Sequence, residues 1–412
     1  MTVQQPILHD PRGQIGFGEF VSLIAALMAM IALSIDSMLP ALPSIGASLG
    51  VASDNDRQWV IAAFMIGFGL AQVAHGPLSD RFGRRPVLLA SLVAGGAFSL
   101  VAAFSASFEL LIAARVACGM AVASSRVLAI SIVRDRYSGR QMARVMSLAF
   151  IVFMAAPILA PAFGQIILLF APWRWIFGML ALASVTLFIW AGLRLPETLA
   201  AENRLPLTPA RLAQGWRTTL GDRMSLGYTL ALALLQGALF GFINSVQQIF
   251  FDVFDHPALL TPVFAGVAAT MAVASYFNSR LVVRLGTRLI SHWALIGFIA
   301  FGALHLLIAL GGHETVISFT LVQALMMGCF GLASANFGAM AMENMGGMAG
   351  TASSVQGFIG TLIGALIGIG IGQAFNGTTV PLYTGFVLCG LAALAVVAVT
   401  ERGRLFTPHQ QG

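Results

Sequence analysis

Gly76-Pro-Leu-Ser-Asp80-Arg-Phe-Gly83-Arg84-Arg85 is a short charged stretch between two long apolar segments. The chain as a whole is 58% hydrophobic and only 9% charged, so such a density of charge stands out within it. Charged side chains are costly in the hydrocarbon of a bilayer, and the stretch must therefore lie in water at one membrane face. It predicts a basic turn between two membrane-spanning helices and sets the orientation of the helices around it.

The composition predicts a membrane protein. A mean hydropathy of +0.88 over 412 residues means more apolar surface than one soluble core can bury, so lipid must solvate most of it. The 22 basic residues, all arginine, exceed the 16 acidic ones, but they are scattered over many short loops and do not predict nucleic-acid binding. Cys118, Cys329 and Cys389 all fall inside apolar segments, which indicates neither a disulfide framework nor a metal site. We expect no cofactor.

Apolar runs long enough to cross a bilayer, about 20 residues each, predict twelve spans. The predicted spans are 17–39, 58–78, 86–106, 108–131, 144–168 and 174–194, then 225–249, 261–283, 289–310, 315–341, 350–373 and 379–400. The polar stretch 195–224 predicts a cytoplasmic linker with a short helix near 210–216. The predicted fold class is an all-α polytopic membrane protein, with an N-terminal six-helix bundle in 1–194 and a C-terminal six-helix bundle in 225–412.

The loop arginines are distributed asymmetrically over this map. One face holds nearly all of them, whereas the other face holds only Arg57 and Arg174. Basic loops stay on the cytoplasmic side, so we expect a multi-pass protein of the bacterial inner membrane with both termini in the cytoplasm. A weaker echo of the basic stretch, 278–288, falls at the corresponding point of the second half, as expected for parallel repeats that enclose one binding site near mid-membrane.

Several motifs carry a resemblance to a known family. The opening stretch resembles the loop signature of the major facilitator superfamily, and further stretches resemble one branch of it, the Bcr/CflA-type multidrug:proton antiporters. These further stretches are 34–43, 115–119, Arg126, 132–137, 156–164, 173–177, 195–199 and 343–354. Three positions depart from the pattern: Cys118 stands where glutamine is usual, Ala160 where a glycine usually precedes the proline, and Gln165 where a second glycine usually follows. The resemblance implies the major facilitator fold and drug:proton antiport by alternating access.

The resemblance also implies a conformational gate at the basic turn. The residues assigned to it are Gly76, Asp80, Arg81, Gly83, Arg84, Arg85 and Asp135. Gly83 is expected to supply the tight turn. By resemblance, Asp80 accepts backbone N–H groups at the start of span eleven and Arg84 pairs with Asp135, and these contacts lock the outward-open form.

Span five carries a second motif, that of the antiporters, at Pro157, Pro161 and Gly164. Each proline removes a helix hydrogen bond, so span five should bend there. The resemblance implies that this bend seals the transporter against leak.

Three ionisable residues lie well inside the predicted spans, Asp36, Arg115 and Arg126, and such residues are functional candidates. Burial favours the neutral form of a carboxyl, so we interpret Asp36 as the proton carrier and a contact for a cationic substrate. The structural alternative is a fixed ion pair or a helix cap beside Pro40.

Arg115 and Arg126 are eleven residues apart, which places both on one face of span four, about 16 Å apart along its axis. We expect this face to line the cavity and Arg115 to interact with Asp36; alternatively, backbone carbonyls hold both arginines for packing.

The second half offers mainly neutral polar groups for a substrate cavity. The candidates are Gln236, Phe240, Asn244, His305, Gln323 and Asn336. Ordinary apolar packing is the structural alternative for Phe240, and a satisfied interior position is the alternative for His305.

The leading function hypothesis is a proton-coupled exporter of drug-like or lipophilic small molecules, and the alternative is a proton-coupled exporter or symporter of one metabolite with the same fold. The sequence has no lysine and hence no Gly-x-x-x-x-Gly-Lys-[Ser/Thr] loop, which excludes ATP-driven pumping by this chain. An enzyme would need a nucleophile–base pair or a metal set, and the sequence shows neither.

The expected partners are a small-molecule substrate, protons and the bilayer, with the chain acting as a monomer. The charge of the substrate stays open, because the acid favours cations and the arginines favour anions.

Overall fold

The computed structural model describes residues 15–137, 139–205, 208–345 and 349–406. Within these ranges the chain consists of helices joined by short turns, with no strand. Eleven of the described helices are long and apolar enough to cross a membrane, and Ala155–Phe170 adds a shorter apolar helix at the position of predicted span five. The prediction of an all-α, twelve-span membrane fold is confirmed.

The helices follow the predicted spans closely. Those of the first half are α1 (Phe17–Asp36), α2 (Leu42–Leu49), α3 (Trp59–Phe82), α4 (Arg84–Ala103), α5 (Phe108–Arg136), α6 (Gly139–Phe170) and α7 (Arg174–Arg194). Those that follow are α8 (Pro209–Gly221), α9 (Arg223–Gln248), α10 (Leu260–Leu285), α11 (Thr287–Leu310), α12 (Val316–Ala341), α13 (Ala349–Gln373) and α14 (Val380–Thr400). The linker helix α8 is longer than predicted, and the domain limits at 194 and 225 stay a prediction.

The first span is interrupted where the sequence predicted a continuous run to residue 39. The helix α1 ends at Asp36, and a 3₁₀ turn, Leu39–Ala41, then leads into α2. Pro40 and Pro43 each occupy a position at the start of the next helical segment, where a missing N–H is harmless and φ is already helical. Asp36 therefore sits at a helix end inside the bundle.

The basic turn is much tighter than the sequence indicated. Most of the opening stretch is helical, because α3 continues to Phe82 and α4 begins at Arg84. Only Gly83 separates the two helices, and its φ of 101° is open to glycine but unfavourable for other residues. We call the end of the bundle that carries this turn the basic end, and the end at which α1 stops the opposite end.

The two halves meet along two pairs of helices. The helix α3 packs against α13, and α6 packs against α10. Within the first half, α3 also packs along α5, where a Cβ on Gly119 would overlap the carbonyl oxygen of Phe64. Small residues allow such close backbone contact between membrane helices.

Candidate functional site

A cavity of about 180 Å³ lies between the two halves. The helix α5 forms its first-half side, and α9, α12 and α13 form its second-half side. Its polar lining residues are Arg126, Thr229, Gln236, Ser353, Gln356 and Thr361. Thr229 and Ser353 both lie within two turns of a helix start at the basic end, which places the cavity nearer to that end.

Arg126 provides the charge of this cavity, because every other residue that lines it is neutral. Its side chain is half-buried. Within the described ranges, Arg126 takes part in no hydrogen bond, ion pair or cation–π contact. An arginine inside a membrane span normally meets a counter-charge, backbone carbonyls or water. Its guanidinium is therefore free to bind something that enters the cavity.

Two further polar groups face the same region without a partner. The hydroxyl oxygen of Thr229 and the amide oxygen Oε1 of Gln236 are buried, and neither makes a hydrogen bond among the described residues. Thr361, by contrast, accepts a hydrogen bond of 2.8 Å from Nε2 of Gln72 and so ties α13 to α3 beside the cavity. Gln236, a candidate residue for the substrate cavity, lines this cavity, and its role in substrate binding stays a prediction.

Asp36 lies apart from this cavity, towards the opposite end. Its side chain is only 4% exposed, and its Oδ1 atom is buried without a hydrogen-bond partner in the described part of the chain. No cationic side chain pairs with it there. Asp36 is thus a buried acid whose surroundings do little to stabilise a negative charge.

Arg115 does not make the expected contact with Asp36. Its Nε atom donates to the carbonyl oxygen of Val60 at 2.7 Å, and its Nη2 atom donates to the carbonyl oxygen of Ser34 at 2.8 Å. The guanidinium also packs over the ring of Phe64, 4.5 Å from the centroid. Two carbonyls and a ring satisfy this cation inside the first half, so of the two arginines only Arg126 lines the cavity.

Phe240 and Asn244, both on α9, do not line the described cavity. Phe240 is half-buried and packs against Gly364 and Gly368 of α13. Asn244 is 1% exposed and lies nearer the opposite end, where neither of its amide atoms has a partner among the described residues.

His305, Gln323 and Asn336 were also expected in the cavity, but they lie in the packed interior of the second half. Nε2 of His305 lies 2.6 Å from Oε1 of Glu314, and the imidazole stacks on the ring of Tyr383. The Tyr383 hydroxyl donates to Gln323. Asn336 donates to Oδ1 of Asn278 at 2.8 Å. Partners on neighbouring helices of the same half hold these three side chains away from the cavity.

Four amide residues that the sequence analysis did not single out join the halves at the opposite end. We call Asn55, Gln58, Gln248 and Gln373 the amide cluster. Asn55 donates to the carbonyl of Gln373 at 3.1 Å, and Gln373 donates back to the carbonyl of Asn55 at 2.8 Å. Nε2 of Gln58 donates to Gln248 at 2.5 Å, and Nε2 of Gln248 donates to Oδ1 of Asn55 at 2.7 Å. These bonds link α9 and α13 of the second half to the residues that precede α3.

The predicted ion pair between Arg84 and Asp135 is confirmed. Nε of Arg84 lies 2.9 Å from Oδ2 of Asp135, and its Nη1 lies 2.5 Å from Oδ1 of Asp80. Glu197, which the sequence matched without a role, accepts hydrogen bonds from the backbone N–H groups of Arg84 and Arg85 at 2.9 and 3.3 Å. Glu197 thereby caps the start of α4, where the helix dipole also favours a negative charge.

The remaining gate candidates have separate contacts. Arg81 is exposed, and Arg85 donates to the carbonyl of Gly192 at 2.5 Å. Gly76 faces Ser354, since a Cβ there would lie 2.9 Å from the Ser354 hydroxyl, and α3 thus touches α13 near the basic end as well. Among the described residues the Asp80 carboxylate pairs with Arg84, and its expected contact with the start of span eleven stays a prediction.

The antiporter motif contacts the interruption of the first span. The helix α6 runs through Pro157 and Pro161 without a break in its assignment, and the predicted bend stays a prediction. Gly164 packs so closely that a Cβ would overlap the carbonyl oxygen of Ser37 and would lie 3.3 Å from Cγ of Pro40. The motif is therefore in contact with the residue that follows Asp36.

Comparison with known proteins gives full-length relatives. The sequence profile of the Major Facilitator Superfamily matches residues 23–369. The Bacillus subtilis protein named uncharacterized MFS-type transporter YdgK is 29% identical over 409 residues, covering 96% of this chain and 98% of that protein. The Haemophilus influenzae protein named bicyclomycin resistance protein homolog is 29% identical over 388 residues, covering 93% and 96%.

A solved structure with the same fold is that of a bacterial homologue of the human lysosomal transporter Spinster, in an inward-facing and occupied conformation. It matches with a TM-score of 0.73 at 15% identity, covering 95% of this chain and 98% of that one. The family profile, the twelve-span fold and the motifs of the basic turn and of α6 all agree. This chain belongs to the major facilitator superfamily, and it is a membrane transporter, not an enzyme, with relatives that include an antibiotic resistance protein homologue.

Proposed function

We propose that this transporter exports drug-like or lipophilic small molecules across the inner membrane in exchange for protons, by alternating access. The observation that carries the proposal is the state of Asp36, a buried acid at a helix end with an unpartnered carboxyl oxygen. Burying a carboxylate without a cation costs several kcal/mol, so this conformation favours the neutral acid. A group that must hold its proton in one conformation and can release it in another is what proton coupling requires.

Closure of the opposite end and proton binding at Asp36 support each other in this mechanism. The amide cluster holds that end closed in the described conformation. Separation of the halves there would admit water to Asp36, and water stabilises the ionised form. A bound proton therefore shifts the population towards the closed opposite end, because it binds that conformation better. Opening at the basic end then releases the proton on the other side, which we expect to be the cytoplasm because most of the loop arginines lie there.

Similarity to a protein named bicyclomycin resistance protein homolog supports export of a drug-like cargo. A second candidate, a proton-coupled transporter of one specific metabolite, is favoured by the small volume of the cavity and its single unpaired cation. A compact, singly charged cavity suits one small solute better than a broad range of bulky compounds.

The test begins with susceptibility profiling of an efflux-deficient strain that expresses the wild-type chain, Asp36→Asn or Asp56→Asn. Asp56 is the matched control, since it is an acid at the same end that lies outside the packed core. We expect the wild type and Asp56→Asn to protect against the same compounds and Asp36→Asn to protect against none. Proteoliposomes with the full chain then measure transport of a protected compound under an imposed pH gradient.

The outcomes separate the two parts of the proposal. Solute movement that ignores the pH gradient would reject proton exchange for this chain. Coupled transport that survives in Asp36→Asn would remove Asp36 from the coupling role. A profile in which no drug is affected, while one metabolite moves with the gradient, would establish the second candidate.

A further inference from the structure

We propose that the cavity around Arg126 binds an anionic group, a carboxylate, of the transported solute. The cargo on this view is an organic anion or a zwitterion whose negative group meets Arg126. The inference concerns the chemistry of the cargo and rests on the proposed transport function only in calling the ligand a cargo.

The first step is the net charge of the cavity lining. Of the intramembrane charges singled out from the sequence, Arg115 is held inside the first half by the carbonyls of Val60 and Ser34 and does not line the cavity. Asp36 does not line the cavity. Arg126 is left as the ionisable group of the lining and has no partner among the described residues. The cavity therefore presents one net positive charge, and an anion is the complementary ligand.

The second step concerns the depth of Arg126. It lies ten residues before the end of α5 at Arg136 and five residues before the end of predicted span four at 131, which are about 15 Å and about 7 Å along the helix axis. A cation that only sets topology belongs at a membrane face, as the exposed Arg81 at the end of α3 does. Keeping an unpaired guanidinium this far inside the span is costly unless something in the cavity stabilises it. A carboxylate offers two oxygen acceptors that match the fork of the guanidinium.

The third step is the arrangement of the neutral polar groups. Thr229 and Gln236 are seven residues apart on α9, so they share one face about 10 Å apart along the axis. The Thr229 hydroxyl has no partner and can donate to a carboxylate oxygen, while Oε1 of Gln236 is free to accept from an N–H or O–H of the ligand. A solute with a carboxylate and a nearby hydrogen-bond donor would satisfy all three groups.

The fourth step separates a solute from a lipid headgroup, which could offer an anion of the same kind. The cavity is lined by Arg126 on α5 of one half and by residues of α9, α12 and α13 of the other, so it lies between the halves. Its volume of about 180 Å³ is well above the ~10–15 Å³ that one water molecule needs. That space fits a small aromatic or aliphatic acid. It does not fit a headgroup with its two acyl chains.

The test is equilibrium binding to the purified full chain in nanodiscs, with matched pairs of an acid and its amide. The probes are acetate with acetamide, phenylacetate with phenylacetamide, and naphthylacetate with naphthylacetamide, measured by the shift in thermal unfolding temperature and by calorimetry. We expect at least one acid to bind about tenfold or more tightly than its amide, the ratio typical of a charge-assisted hydrogen bond. Arg126→Gln should abolish the preference, Arg126→Lys should keep part of it, and Thr229→Val should weaken binding of the acid.

Arg217→Gln is the control, because Arg217 is an exposed arginine of α8 away from the cavity, and it should behave as the wild type. Unfolding temperatures without ligand verify that each variant is folded. Equal binding of every acid and its amide, or a preference that survives in Arg126→Gln, would overturn the inference. The inference would also be overturned if the unfolding temperature rose with the phosphatidylglycerol content of the nanodisc and did not change when the acids were added. No proton gradient is applied in these binding measurements, so preferential binding of the acids would stand even if transport were not coupled to protons. Conversely, failure of the acids to bind would leave the proposal of proton exchange unchanged.

Discussion

Gly164 of α6 packs against the backbone carbonyl of Ser37, the residue that follows Asp36 at the interruption of the first span. The antiporter motif and the proposed proton carrier are thereby in contact through the backbone. The sequence assigned these two features to different spans and different roles. Their contact means that a movement of α6 is transmitted to the helix end that holds Asp36.

Gly164→Ala is the first prediction. The added methyl group would overlap the Ser37 carbonyl, which is backbone and cannot rotate away. Overpacking of this kind costs about 1–3 kcal/mol, so we expect a lower unfolding temperature and a strong loss of pH-driven transport. Gly178→Ala on α7 is the control, since its Cβ would meet only the Trp175 ring at 3.9 Å. Wild-type behaviour of Gly164→Ala in both measurements would contradict the proposed contact.

The second prediction concerns the amide cluster. Gln248→Ala removes the bonds to Gln58 and Asn55, each worth about 0.5–1.5 kcal/mol, and should shift the population towards a form open at the opposite end. The readout is labelling of Asn244→Cys by a membrane-impermeant thiol reagent, in a chain whose three native cysteines are replaced. We expect several-fold faster labelling in the Gln248→Ala background.

Asn376→Ala is the matched control for that experiment. Asn376 is an exposed amide at the same end, and its side chain bonds only to Thr378 in its own loop. Labelling at the wild-type rate is expected there. Equal rates in the wild type and Gln248→Ala would show that the amide cluster does not hold the opposite end closed.

Hydropathy and arginine spacing were sufficient to predict the twelve spans, because each span must be long and apolar to cross the bilayer on its own. The ion pair of Arg84 with Asp135 followed from a resemblance whose motifs are local. The position of Arg115 could not be predicted in this way. Its acceptors, the carbonyls of Val60 and Ser34, are 55 and 81 residues distant, and every residue type offers a backbone carbonyl.

The amide cluster escaped prediction for a related reason. Asn55 and Gln58 lie close together, but their partners Gln248 and Gln373 are about 190 and 318 residues away. Amides near the ends of apolar runs are common, since those ends lie at the membrane interface. Only the packing of α13 against α3 shows which of them meet. Helix ends and lengths are thus encoded locally, whereas the choice of facing side chains depends on how the two halves pack.

The third prediction tests the basic end. Arg84→Met removes the buried cation that pairs with Asp135 and Asp80 and should cost about 3 kcal/mol or more, because loss of one partner leaves a largely buried carboxylate uncompensated. Glu197→Ala removes the cap of α4 and should cost about 1 kcal/mol. Thermal unfolding in detergent measures both effects.

Arg81→Met is the control, because Arg81 is an exposed arginine of the same motif. It should change the free energy of unfolding by less than about 0.5 kcal/mol. A larger loss for Arg81→Met than for Arg84→Met would contradict this assignment.

The fourth prediction separates the two arginines of α5. Arg115→Lys keeps the charge, but one ammonium group cannot reproduce the two divergent bonds to Val60 and Ser34, so we expect a loss of about 1.5–3 kcal/mol in stability. Arg126→Lys should leave the unfolding temperature almost unchanged, because Arg126 makes no described contact that a lysine would lose. Thermal unfolding of both variants without ligand checks these two expectations.

Transport should separate the same two variants. Because the Ser34 carbonyl lies two residues before Asp36, Arg115→Lys should also displace the pH midpoint of transport. Arg126→Lys should leave that midpoint in place and raise the KM for an anionic solute. Equal destabilisation by the two substitutions would show that both arginines are structural, and the division of roles along α5 would fail.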